Sequence, residues 1–215
     1  MISELTAPRR AMTTGFLAWL LMLGSVTPAF AKIDDILFHP RLDVTYDNQT
    51  VGLSLTGHAK RKIMFFPVYS VAHYVNPNDI VAPDGDVYEA IMASPSPKQI
   101  SIVFDRDLDA EKVQKTLTKG VNKNCVGDEF SQVSAALDQF KQLINQDVKR
   151  NDLFVLRWLP DGRLLSIYEG EVVGEVQSPL LSRLLWSIWL GDHAVVDREK
   201  MIANLSAPAA TQSKQ

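Results

Sequence analysis

The chain has 215 residues, 46% hydrophobic and 22% charged, with 11 glycines, 11 prolines and a formal net charge of −3. That much apolar surface offsets chain entropy and excludes collagen-like, low-complexity and wholly disordered classes; 22 Lys+Arg against 25 Asp+Glu leave no basic excess for binding nucleic acid. The single cysteine, Cys125, excludes an intramolecular disulfide framework and any cysteine-based zinc cluster.

Arg9 and Arg10 precede an apolar run over 15–26, followed by Pro28, Ala29, Phe30 and Ala31. A positive start, a short apolar core and a small-x-small site are the parts of a secretory signal peptide. The core is shorter than the roughly 20 residues that span a bilayer. The expected organisation is a signal peptide at 1–31, an exported domain at 32–205 and a flexible polar tail at 206–215. The expected location is periplasmic or secreted, with no stable membrane span after cleavage. An uncleaved membrane anchor is the other reading of the same segment.

Residues 42–46 and 51–55 alternate in hydrophobicity about Asp47-Asn48, the turn chemistry of a hairpin. The stretch 61–75 carries Phe65, Phe66, Val68, Tyr69, Val71, Tyr74 and Val75 and reads as one long strand, in which Pro67 requires an edge or a bulge. A short helix over 87–92 and a strand over 100–104 follow. Ala110, Val113, Leu117 and Val121 form one helical stripe with Asp109 as its N-cap; Phe130, Val133, Leu137, Phe140 and Ile144 form a second. Pro160-Asp161-Gly162 joins strands at 153–158 and 163–168, and Glu169-Gly170 turns into 172–176. Ser178-Pro179 opens a third helix, striped by Leu181, Leu184, Leu185, Ile188 and Trp189 and stopped by Gly191. A last short helix covers 198–205. Hairpins interspersed with helices give an α+β fold, with helices packed on one face of an antiparallel sheet.

Motifs for chemistry are scarce. His39, His58, His73 and His193 are scattered singly, with no i, i+4 pair for a metal. There is no Gly-x-Ser-x-Gly elbow and no phosphate-binding glycine loop. The acidic run over 105–111 lacks the calcium-loop pattern and suits a strand-to-helix junction, where carboxylates complement a helix N-terminus. Cys125, Trp186 and Trp189 read as packing residues. No metal and no cofactor are expected.

The segment 53–75 reads Leu-Ser-Leu-Thr-Gly-His-Ala-Lys-Arg-Lys-Ile-Met-Phe-Phe-Pro-Val-Tyr-Ser-Val-Ala-His-Tyr-Val. Taken with 182–191, it resembles the chalcone-isomerase-like family, specifically its bacterial exported branch. The matching parts are Gly57 and Arg61 of a Gly-x-small-x-Arg motif, the aromatic strand with Val68-Tyr69 and Tyr74, the helix over 109–121, and the last strand and helix over 170–191. The resemblance implies an open-faced β-sandwich of chalcone-isomerase type with a cleft between sheet and helices. Members that bind fatty acids hold the carboxylate with an arginine and a tyrosine, which here are Arg61 and Tyr69; Ser182 falls near a further polar position of the enzymatic cleft. The flavanone-forming enzymes instead have a threonine where Tyr69 stands. They also have a tyrosine and an asparagine where this chain has Asp109 and Thr116, and ring closure needs groups that orient the substrate and stabilise an enolate-like charge.

The implied function is therefore a non-catalytic, exported binding protein for a fatty acid or similar amphipathic carboxylate. A guanidinium offers a carboxylate two charge-assisted hydrogen bonds and a tyrosine hydroxyl a third. Phe65, Val71 and the helix stripes would receive the acyl chain. Two alternatives stand beside it. An isomerase or lyase would carry a second titratable group facing Arg61. An interaction domain would have no cavity and an exposed apolar patch. Nothing in the sequence fixes the oligomeric state. Geometry sets one condition: eight residues of straight strand separate Arg61 from Tyr69 by roughly 26 Å at about 3.3 Å per residue. The two meet only if the chain turns or bulges between them, and Pro67 is the obvious device.

Overall fold

A computed structural model describes residues 31–33, 36–80 and 85–206. Apart from Ala31 and Ser206, the segments of the signal-peptide and tail expectations fall outside these described residues. Strands β1 (Ala31–Ile33) and β2 (Ile36–Phe38) form a two-stranded antiparallel ribbon. The other strands make one antiparallel sheet in chain order: β3 (Arg41–Tyr46), β4 (Gln49–Ile63), β5 (Phe66–Val75), β6 (Lys98–Phe104), β7 (Leu153–Trp158), β8 (Arg163–Tyr168) and β9 (Glu171–Gln177). Helix α1 (Val87–Ala93) lies between β5 and β6. Helices α2 (Ala110–Lys123) and α3 (Glu129–Leu143) lie between β6 and β7, and α4 (Pro179–Leu190) and α5 (Ala203–Ser206) follow the sheet.

Local chemistry explains most of these boundaries. Asp47 and Asn48 have φ of 48° and 58°, and Glu169 and Gly170 have φ of 49° and 87°; such paired left-handed residues suit tight hairpins. Ser178 accepts a hydrogen bond from the Leu181 amide at 3.2 Å, with Pro179 opening α4. Asp109 stands at the N-cap of α2 but makes no capping bond. Asp147 supplies it instead, accepting from the Ala110 amide at 3.0 Å, because the Leu108–Val148 bridge lays that loop beside the helix start.

The expectation of one long strand over 61–75 is corrected. The chain reverses at Met64-Phe65, and Arg61 and Tyr69 sit on adjacent antiparallel strands. Met64 has φ 56°, an uncommon conformation for a side chain of that size. A register shift between Lys62/Pro67 and Arg61/Tyr69 leaves Val68 as an extra residue on β5.

Helix α4 is apolar around its circumference, and from Leu181 to Leu190 every residue except Arg183 is buried. A helix of that kind belongs inside, and α4 lies among β8, α1, α2 and α3. Its Leu184, Leu185, Trp186 and Ile188 join Val71, Ile100, Ile102, Leu156 and Leu164 of the sheet in the main core. Phe38, Val44, Leu53, Leu55, Ala72 and Tyr74 form a smaller core; Ala72 and Tyr74 alternate with Val71, so it occupies the opposite face of the sheet.

A second register shift, at Leu55/Gly57, leaves Thr56 outside the ladder. Thr56 Oγ1 donates to the Met201 carbonyl at 2.7 Å and stands 2.8 Å from Nδ1 of the fully buried His73. A hydroxyl whose proton is committed to Met201 accepts from the imidazole, so Nδ1 carries the ring proton. Burial first, and the Lys98 charge second, push the His73 pKa down to about 3. A Cβ on Gly57 would stand 2.1 Å from the Lys200 carbonyl oxygen and 2.6 Å from the Met201 carbonyl carbon, so the turn Lys200–Ile202 packs directly on strand backbone.

Gly57→Ala is expected to lower stability by about 1–3 kcal/mol in urea unfolding, the usual effect of forcing a methyl group into a closed contact; unchanged stability would mean that the Lys200–Ile202 turn does not sit on β4 in solution. His73 yields a second expectation. The unfolded chain takes up a proton there below about pH 6.5, whereas the folded chain does so only near 3. The unfolded state therefore binds more protons in that window, and stability is lost as the pH is lowered, at up to about 1.4 kcal/mol per unit from this group. His73→Asn keeps a donor for Thr56 and should flatten that slope between pH 6 and 4, as read from urea midpoints.

Candidate ligand-binding cavity

The ends of four strands, β4 to β7, the first half of α2 and the last turn of α4 enclose a cavity of about 110 Å³. The pleat positions its walls. Arg61 pairs with Tyr69 and Tyr69 with Phe104; one row along, Val71 pairs with Ile102 and Ile102 with Phe154. Paired residues project from the same face of a sheet, so Arg61, Tyr69, Phe104, Ile102 and Phe154 all face the helices. From the other side come Val113 and Leu117 of α2, Ile188 and Trp189 of α4, and Val195 of the loop beyond. Apolar atoms dominate the lining.

The polar groups are few and of one sign. Arg61, Arg106 and Lys112 line the cavity, while no Asp, Glu, His or Cys does. Arg61 donates from Nη1 to the Val195 carbonyl at 2.6 Å; its other donors have no partner among the described residues. Arg106 Nε is buried without a partner. Lys112 is exposed and, with Thr116 one turn on, marks the mouth. Tyr69 accepts from Trp189 Nε1 at 3.0 Å. Burial raises its pKa to about 12, against smaller lowering by the Trp189 hydrogen bond and the Arg61 charge. Tyr69 is therefore a neutral hydroxyl near pH 7, and no acceptor for its proton exists among the described residues. An apolar chamber with unpaired cations and one hydroxyl donor suits a molecule with a greasy body and an anionic head.

The structure brings two of the three sequence-derived site residues together. Arg61 and Tyr69 are cross-strand neighbours, which removes the 26 Å separation of a straight strand. Ser182 does not line the cavity: it is fully buried and donates to the Ser178 carbonyl at 3.1 Å. It shares a helix stripe with Trp189 but lies two turns away, about 10 Å along the axis. Phe65 and Val71 do not receive a ligand here either. Phe65 is exposed at the hairpin tip, and Val71 is closed inside the main core. Arg106 and Lys112 were missed, since Arg106 sits in the acidic run that reads as a helix start and Lys112 directly follows it. One signal was available for Lys112. Lys112-Val113 and Thr116-Leu117 repeat at i, i+4, placing a polar rim beside the apolar stripe.

A second, more polar hollow of about 390 Å³ lies near Cys125, Asp192, His193 and Arg198. Both of its arginines are engaged, Arg198 by Asp192 of the same lining at 2.8 Å and Arg183 by Glu129 outside it at 2.5 Å. Cys125 donates to the Val121 carbonyl at 3.3 Å, and burial together with Glu129 pushes its thiol up. Among the described residues, no three His, Cys, Asp or Glu side chains converge to hold a metal. No described helix is long and apolar enough to cross a membrane.

Comparison with known proteins adds three findings. A family model described as chalcone isomerase-like matches residues 33–202. No curated protein matches the chain. The crystal structure of a fatty-acid binding protein from Arabidopsis thaliana is similar at a TM-score of 0.60 and 18% identity, covering 76% of this chain and 97% of that one. At that identity the likeness is one of fold.

Tyr69→Phe leaves Trp189 Nε1, on a ring 1% exposed, without its acceptor. A loss of about 1–2 kcal/mol in urea unfolding of the ligand-free protein is expected; no loss would mean the Trp189–Tyr69 bond is absent in solution.

Proposed function

The chain belongs to the chalcone isomerase-like family, and from that membership and the chemistry of the cavity we propose that it is a non-catalytic binding protein for a fatty acid or similar amphipathic carboxylate. The observation that carries this reading is the pairing of Arg61 with Tyr69 on the cavity wall, with no carboxylate lining that wall. The guanidinium and the neutral hydroxyl present donors to one carboxylate, Arg106 and Lys112 add positive potential at the same end, and the acyl chain runs along Ile102, Phe104, Leu117 and Phe154. Each buried CH₂ contributes about 0.8 kcal/mol.

Acid–base catalysis is the weaker reading. Apart from the cationic Arg106 and Lys112, the one titratable group that lines the cavity with Arg61 is Tyr69, and its raised pKa of about 12 makes it a poor base at neutral pH. The positive pair Arg9-Arg10 and the short apolar core over 15–26 support export across a membrane, and a periplasmic or secreted location forms part of the same proposal.

The test is binding of oleate to the purified protein by calorimetry, beside oleyl alcohol. Oleate should bind and the alcohol should bind much more weakly. Arg61→Ala should weaken oleate binding about tenfold to hundredfold, the effect of losing charge-assisted hydrogen bonds of roughly 1.5–3 kcal/mol. Arg61→Lys should recover only part of it, because an ammonium lacks the planar fork. Equal affinity for acid and alcohol, or no effect of Arg61→Ala, would overturn the carboxylate-anchor assignment.

A further inference from the structure

The tip of the β4–β5 hairpin breaks the local rules that the rest of the chain obeys. Ile63, Met64, Phe65 and Phe66 are 47%, 83%, 91% and 65% exposed, a contiguous run of large apolar side chains in water. The reversal itself is made from Met64 and Phe65 rather than from glycine, asparagine or aspartate, and Met64 sits in left-handed backbone at φ 56°. Other turns in the same sheet use Asp47-Asn48 and Glu169-Gly170. A strained turn with a wetted aromatic tip is a departure expected at functional positions.

We propose that this tip is a membrane-docking element that inserts into an anionic lipid bilayer and sets the cavity mouth against it. Two features select a bilayer as the occupant. The first is charge. The chain is acidic overall, yet residues 48–78 contain no Asp or Glu, and Lys60-Arg61-Lys62 lead directly into the tip. Lys62 and Lys112 are exposed beside it; Asp105 is engaged by Lys60 at 3.8 Å and Asp107 by Lys149 at 3.6 Å. Basic residues flanking a short aromatic tip complement an anionic headgroup layer with hydrocarbon beneath. The second is continuity. Ile63 is both part of the exposed tip and part of the cavity lining, so apolar surface runs unbroken from tip to chamber. An acyl chain could follow that track without crossing water. The transfer role rests on the fatty-acid reading; the docking does not.

The test places an environment-sensitive fluorophore on the full-length protein. In a Cys125→Ser background, Met64→Cys carries the probe, and Val126→Cys and Val172→Cys carry it at exposed apolar positions elsewhere. Vesicles are phosphatidylcholine alone or mixed with phosphatidylglycerol, with and without chain-brominated lipid. The probe reports immersion at its own position, so binding through residues 15–26 does not mimic the signal. The expected result is a blue shift and bromine quenching at position 64 alone, stronger with phosphatidylglycerol and weakened by salt. Adding Phe65→Glu and Phe66→Glu should raise the lipid concentration for a half-maximal shift about tenfold or more, while oleate affinity in lipid-free solution stays unchanged. No immersion at position 64, equal immersion at position 172, or a dimer in sedimentation that Phe65→Glu dissociates would each overturn the proposal.

Discussion

The register of the β4–β5 hairpin puts Arg61 opposite Tyr69, and the chemistry of the cavity depends on that adjacency. A reversal at Met64-Phe65 and an extra residue at Val68 together set it. Shifting the pairing by one residue would send one of the two side chains to the opposite face. Each residue is then tied to the helical layer by a hydrogen bond, Arg61 to the Val195 carbonyl and Tyr69 to the Trp189 indole. The two bonds hold the far wall at a fixed distance from the sheet while leaving most of the guanidinium's donors, and the hydroxyl's proton, uncommitted among the described residues.

Behind that site stands the buried helix α4. Its N-terminal turns fill the space over the sheet with leucine and tryptophan, and the Trp158–Trp186 pair, with ring centroids 5.5 Å apart, closes one side. Its last turn contributes Ile188 and Trp189 to the cavity instead. One helix thus serves as core along most of its length and as cavity wall at its end. Helix α2 approaches α4 closely at Gly120, where a Cβ would stand 2.9 Å from Ile188 Cδ1. Toward its start α2 turns Val113 and Leu117 to the cavity and Lys112 and Thr116 to its mouth.

Much of this architecture is readable from residues near in sequence. Asp47-Asn48, Glu169-Gly170, Ser178-Pro179 and Gly191 state their turns and caps, and the stripes on α2, α3 and α4 state their buried faces. The β4–β5 reversal is the exception, since Ile63-Met64-Phe65-Phe66 carries strand propensity and no turn residue. The α2 N-cap is another: Asp109 has the right chemistry in the right place, yet Asp147 makes the bond, because only the folded loop brings it there. Ser182 illustrates the same limit. Its stripe is correct, but how far along that stripe the core gives way to a cavity depends on what packs against each turn.

The sequence by itself determined the α+β class, the order of strands and helices outside β1, β2 and the β4–β5 hairpin, and the choice of Arg61 and Tyr69 as groups suited to a carboxylate. These rest on periodicity, on turn and cap residues, and on a family motif, all of them properties of short segments. Tertiary structure alone decided that the two groups meet, that Arg106 and Lys112 join them, and that Ser182 does not. It also decided that Phe65 faces water while Trp189 faces Tyr69. The physical reason is common to all of these: burial and unpaired charge are properties of surfaces that approach from distant parts of the chain. No local pattern encodes which surfaces those will be.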